Sequence, residues 1–106
     1  RGGSRVLVEV GVSYESDIGQ AIRVLESVCA RIKEEFAGVL REDPQVLGVV
    51  NLADSAVVIR IVAQAEALEQ WAVERAIRRE AKEALQEAGI EIPYPRTQVI
   101  LEKGGA

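Results

Sequence analysis

No histidine occurs in the 106 residues, and cysteine occurs only once, at Cys29. The first absence removes the commonest general base and the commonest zinc ligand. The second rules out an internal disulfide, a thiol redox pair and a cysteine-built zinc site, so stability has to come from a packed core, and a reducing compartment fits. Methionine is also missing and the chain begins at Arg1. The expectation is therefore an excised piece or a processed chain, with residues 1–4 as linker or cloning remnant; they lack the apolar stretch of a signal peptide. Long hydrophobic runs are absent too: stretches such as Ala56-Val57-Val58-Ile59 fall far short of the roughly 20 residues that a membrane-spanning helix needs. Basic charge is in deficit, with 13 Lys and Arg against 17 Asp and Glu, which argues against a domain whose task is to neutralise nucleic-acid phosphates.

What remains is 48% hydrophobic content in a length suited to one domain with a single core. From Arg5 to Ser13, valines at 6, 8, 10 and 12 fall on every second residue and predict a half-buried strand. Ser16 or Asp17 can cap the helix that follows, whose apolar stripe is Ile18, Ile22, Leu25, Cys29, Ile32 and Phe36. The same spacing carries that helix to about Leu40, and Asp43-Pro44 is read as its end. Residues 46–53 and 56–65, joined through Asp54-Ser55, read as an antiparallel hairpin, and the lone Arg60 marks one face as incompletely covered. A second helix is predicted over about residues 67–88, with Val73, Ile77, Ala81, Ala84 and Ala88 inward and Trp71, Arg75, Arg78 and Lys82 on a neighbouring stripe. Gly89 stops it. A last strand is predicted over Thr97 to Leu101. The order predicts an α+β, ferredoxin-like βαββαβ layer with two helices on one face of a small sheet.

Nothing in this pattern assembles a catalytic set. Cys29 lies on the apolar stripe without a base and reads as core. Glutamates 66, 69, 74, 80, 83 and 87 stand among arginines and lysines and read as solvated helix faces with weak ion pairs. No catalytic, cofactor-binding or metal site is assigned, and no cofactor is expected. Two features ask for more. Trp71 lies off the centre of its helix's apolar face, which suits either a contact with another subunit or packing at the helix edge. Ile92-Pro93-Tyr94-Pro95 is a stiff, extended connector with few free amides, suited to leading the chain out of the domain.

In sequence order, Val12-Ser13-Tyr14 with Asp17, Pro44 with Val46, Leu52-Ala53-Asp54-Ser55 leading into Val57 and Arg60, Trp71 with Arg75, and Gly89-Ile90-Glu91-Ile92-Pro93-Tyr94-Pro95 form one pattern over nearly the whole chain. It resembles the carboxy-terminal cytoplasmic domain of small-conductance mechanosensitive channels, the MscS-like family. Arg96 and Ala56 depart from residues common there, glutamine and serine. The resemblance implies residues 5–95 as the α/β domain and residues 96–106 as a terminal strand and Gly-rich tail, the strand joining an intersubunit barrel. It implies a homo-oligomer, a heptamer, forming a cage beneath the membrane pore on the cytoplasmic side, with ions passing between subunits and membrane contact only through segments outside this chain. Trp71, Arg75, Tyr94, Thr97, Val99 and Leu101 are the candidate subunit contacts. The competing reading is a soluble ferredoxin-like regulatory or ligand-binding module, because the same layered fold hosts many small-molecule sensors. An enzyme built on a carboxylate and an arginine is a third.

Overall fold

A computed structural model describes residues 3–93. Its elements are β1 (Gly3–Val12), α1 (Ile18–Glu35), β2 (Leu40–Leu52), β3 (Val57–Glu66) and α2 (Gln70–Glu87). β3 is the central strand, antiparallel to both neighbours in the order β1-β3-β2, with Gly3 opposite Glu66 at one end and Val12 opposite Val57 at the other. The architecture is α+β, as the sequence pattern predicts; the predicted strand over Thr97 to Leu101 lies outside the described residues.

The alternation of apolar residues decides which face is covered. Val6, Val8, Val10 and Val12 of β1 and Val57, Ile59, Ile61, Ala63 and Ala65 of β3 are buried beneath the helices. α2 leans on β1 and α1 on β2. The opposite face holds Glu9, Val58, Arg60 and Val62, which are half-buried or exposed. There Arg60 donates to Glu9 Oε2 from Nε at 3.0 Å and from Nη2 at 2.6 Å, a cross-strand pair that keeps the guanidinium in water while its stem covers the sheet.

Asp17 caps α1, its Oδ1 accepting from the Gln20 amide at 3.1 Å. The buried stripe of α1 is Ala21, Leu25, Val28, Cys29 and Ile32, while Ile18, Ile22 and Phe36 lie at its margin. On α2 the buried residues are Val73, Ala76, Ile77, Ala81 and Leu85, with Ala84 and Ala88 beside them. Leu85 is the large side chain that the expected small-residue face omitted. Gly89, at φ +77°, closes α2 in the left-handed region, and the Ile90 amide reaches back to the Leu85 carbonyl at 2.9 Å.

Two expected boundaries are corrected. α1 stops at Glu35 and not near Leu40: the amides of Val39 and Leu40 both turn back to the Phe36 carbonyl, and the Glu66 amide binds the Val39 carbonyl at 2.8 Å, drawing the chain into the sheet. Pro44 does not end a helix, because it lies inside β2. β2 is a sheet edge, and its register against β3 shifts between Glu42 and Gln45, so the proline's missing amide interrupts no required ladder bond. A further shift follows between Val46 and Gly48, where Gly48 takes φ +106°, a conformation that a side chain would strain.

Candidate functional site

The large apolar side chains left exposed fall into two groups. Toward the turn of the β2–β3 hairpin stand Val49, Val50 and Leu52, the last 68% exposed, while Leu47 lies earlier on β2 beside Arg60 and Val62. Helix cover over β2 reaches Val46, which packs against the core; beyond it a register shift between Val49 and Asn51 leaves positions 49–52 exposed whichever face they point to. The turn itself is held. The Ala53 amide donates to the Ala56 carbonyl at 2.9 Å, and the Tyr14 hydroxyl donates to the Ala53 carbonyl, so the β1–α1 loop braces the hairpin end.

Leu68 and Trp71 form the second group, at the opposite end of the sheet where β3 passes into α2. Leu68 is 74% exposed and holds φ +74°, a conformation uncommon for a side chain of this size. Trp71 is 53% exposed, so about half of its surface is open within the described residues. Arg75, one turn later, is exposed beside it. The structure thus brings together the expected contacts Trp71 and Arg75; Tyr94, Thr97, Val99 and Leu101 lie outside the described residues. Sequence reasoning missed the hairpin end. The signal available was the run Leu47-Gly48-Val49-Val50-Asn51-Leu52, which breaks strict alternation and so cannot bury one face cleanly.

The titratable groups that depart from ordinary behaviour are explained by packing. Burial, with a smaller contribution from the Glu26 carboxylate, pushes the Cys29 thiol up to about 11, so it stays protonated near neutral pH. A hydrogen bond shared with Glu80 raises the Glu35 carboxyl, while Arg31 Nε holds Glu80 Oε1 at 3.2 Å and joins the two helices. The Leu7 amide of β1, an edge strand among the described residues, donates to Glu74 Oε2 of α2 at 3.4 Å. Beside the C-terminal part of α2, an open groove of about 460 Å³ is lined by Lys82, Gln86, Ile90, Glu91 and Ile92. It lies along β1's far end, where the Ser13 amide donates to the Glu91 carbonyl at 2.9 Å. Among the described residues, no group of three or more His, Cys, Asp or Glu is placed to hold a metal ion.

By class this is a layered α+β domain with apolar side chains held outside its core. Residues 6–92 match the family described as mechanosensitive ion channel MscS, C-terminal, and the chain belongs to that family. It is 34% identical over 97 residues to a small-conductance mechanosensitive channel of Caldanaerobacter subterraneus, a match covering 92% of this chain and 34% of that protein. An uncharacterised MscS family protein of Archaeoglobus fulgidus is 34% identical over 90 residues, covering 85% of this chain and 30% of the relative. The moderate conductance mechanosensitive channel YbiO of Escherichia coli is 27% identical over 106 residues, with 98% of this chain and 14% of the relative covered. The fold matches the closed-state crystal structure of Helicobacter pylori MscS with a TM-score of 0.72 at 21% identity, over 91% of this chain and 37% of that one. The chain spans about a third or less of the length of each of these relatives. No helix of the described residues is long and apolar enough to cross a membrane.

Proposed function

We propose that the chain is the cytoplasmic cage domain of a mechanosensitive ion channel, serving subunit assembly and the passage of ions between subunits, and catalysing no reaction of its own. The observation that carries this is the family match over residues 6–92, which takes in all the described secondary structure except the first residues of β1. The exposed apolar side chains support it, since clustered apolar surface of this kind serves association. Residues 5–95 form the α/β domain, and residues 96–106 supply a terminal strand to a barrel shared by the copies of a heptamer. Trp71, Arg75, Tyr94, Thr97, Val99 and Leu101 are the proposed contacts between copies. The portion that senses tension and forms the pore belongs to other parts of the protein.

The test is electrical. The full-length protein from the gene encoding this chain, reconstituted in liposomes and patched under suction, is expected to show conductance steps that appear with membrane tension. Its mass in detergent is expected to be that of a homo-oligomer. Silence under tension at every pressure the patch survives, with the protein folded and inserted, would overturn the channel reading.

A further inference from the structure

β1 is an edge strand among the described residues, paired to β3 on one side only. The backbone groups of a strand alternate between its two edges, and two bonds show which residues of β1 face outward. The Leu7 amide donates to Glu74 Oε2 of α2 at 3.4 Å, and the Ser13 amide donates to the Glu91 carbonyl at 2.9 Å. Both are odd-numbered, so Arg5, Leu7, Glu9 and Gly11 present their amides and carbonyls to the outer edge. α2 runs from the Gly3 end of the sheet to the Val12 end, and the chain leaves it beside the last residues of β1.

A segment continuing from the Ser13–Glu91 bond meets β1 only by running back along it, antiparallel; in the other direction the strand has already ended at Val12. Such a continuation sets Pro93 opposite Gly11, Pro95 opposite Glu9, Thr97 opposite Leu7 and Val99 opposite Arg5, each with its backbone groups turned to β1. A tethered segment with strand-forming residues from Thr97 to Leu101 is held at high effective concentration beside this edge, a setting that favours addition. Three successive positions oppose it. Pro93 and Pro95 have no amide to give to the Gly11 and Glu9 carbonyls; proline is tolerated in an edge strand where its nitrogen faces solvent, and in this register both nitrogens face the partner. At the next position the Leu7 amide is already taken by Glu74, whose other carboxylate oxygen lies 3.8 Å from Arg78 Nη2.

We propose that Pro93, Pro95 and Glu74 act together as a guard that keeps the terminal strand off the β1 edge of its own chain. This deepens the homo-oligomeric reading above and rests on it for one consequence: a strand refused by its own domain stays available to other copies. The phase of the prolines carries the inference beyond the stiffness of the connector. Moved by one residue, both would turn their nitrogens to solvent and leave the edge open to addition.

Disulfide trapping in the full-length protein tests the guard. With Cys29 and any cysteine outside these residues replaced by serine, Arg5→Cys and Val99→Cys are introduced together; opposite residues of such an antiparallel pair lie about 5.5 Å apart at Cα, within disulfide reach. In the parent background, mild oxidation is expected to give at most a trace of the within-chain link, read as joined peptides in protein of monomer mobility. Restoring both amides with Pro93→Val and Pro95→Val, and freeing Leu7 with Glu74→Ala, is expected to raise that yield about ten-fold or more. Equal yields in the two backgrounds, whether high or absent, overturn the guard. A second variant separates phase from stiffness and answers any loss of folding in the first. Both prolines are kept, one alanine is inserted between Ile92 and Pro93, Glu74→Ala is retained, and the trap moves to Arg5→Cys with Gln98→Cys, the residue that the insertion brings opposite. The link is expected again. Its absence there means that stiffness and not phase holds the segment away, and overturns the proposal. A monomeric mass for the parent removes the consequence for assembly, while the yields, compared within one chain, still decide the guard.

Discussion

At Gly89 the backbone stands at φ +77° with nothing within 4 Å of an added Cβ, so a side chain there meets no steric obstacle except its own backbone. Gly89→Ala is accordingly expected to cost about 1 kcal/mol, read from urea denaturation, and a neutral outcome would show that the helix end can close another way. Asp17→Ala is expected to cost a similar amount, about 1 kcal/mol, through the amide of Gln20 left without its acceptor. Cys29 gives a pH dependence. Its thiol is raised from the ordinary value of 9.0 to about 11, so the folded state keeps a proton that the unfolded chain has lost. The resulting stability is complete below pH 9 and is lost as pH rises toward 11. Alkylation by iodoacetamide at pH 8 should run on the order of a hundred-fold slower in the folded chain than in denaturant, from the thiolate fraction alone. Equal rates would place the thiol at the surface.

Among the elements, the core helices and the edge strand are expected to respond to substitution by different amounts. Leu25→Ala, at a fully buried position of α1 facing the sheet, is expected to destabilise by about 3 kcal/mol in urea denaturation. Pro44→Ala, in the shifted part of β2, is expected to change stability by less than about 1 kcal/mol. A larger loss would mean that the proline fixes the path of the chain there. The contrast also shows which elements the sequence exposed to view. β1 was legible because one face only is buried, and the valines at 6, 8, 10 and 12 record it directly. The start of α1 was legible in Asp17 and the end of α2 in Gly89, since each residue type answers a specific backbone requirement. The end of α1 was not. Phe36, Val39 and Leu40 continue the three-and-four spacing of the helix and do pack against the core, but from a turn and a strand. Spacing records that a residue is buried and not which backbone carries it. Of the candidate contacts, Trp71 was legible as a large aromatic off the helix's apolar centre, whereas the hairpin end depends on where helix cover stops, a distance set by tertiary packing.

For the whole molecule, Trp71 is a single optical probe on the surface. In dilute protomer its emission is expected to lie near that of free tryptophan in water, and to shift to the blue as copies assemble with Trp71 at their contact. An emission that stays fixed while the mass rises would remove Trp71 from that contact. The chain comes in at Gly3, at one end of β1, and leaves beyond Glu91, whose carbonyl is bonded to Ser13 just past the other end. Ten residues of strand, about 33 Å, separate the two points, and they lie along a single strand axis. A pull applied between neighbouring parts of a longer protein therefore draws β1 lengthwise against β3, loading the bonds between the two strands together instead of one after another. The β1–β3 pairing is thereby placed in shear, whereas a force on β2 at the opposite edge would act on its bonds one after another.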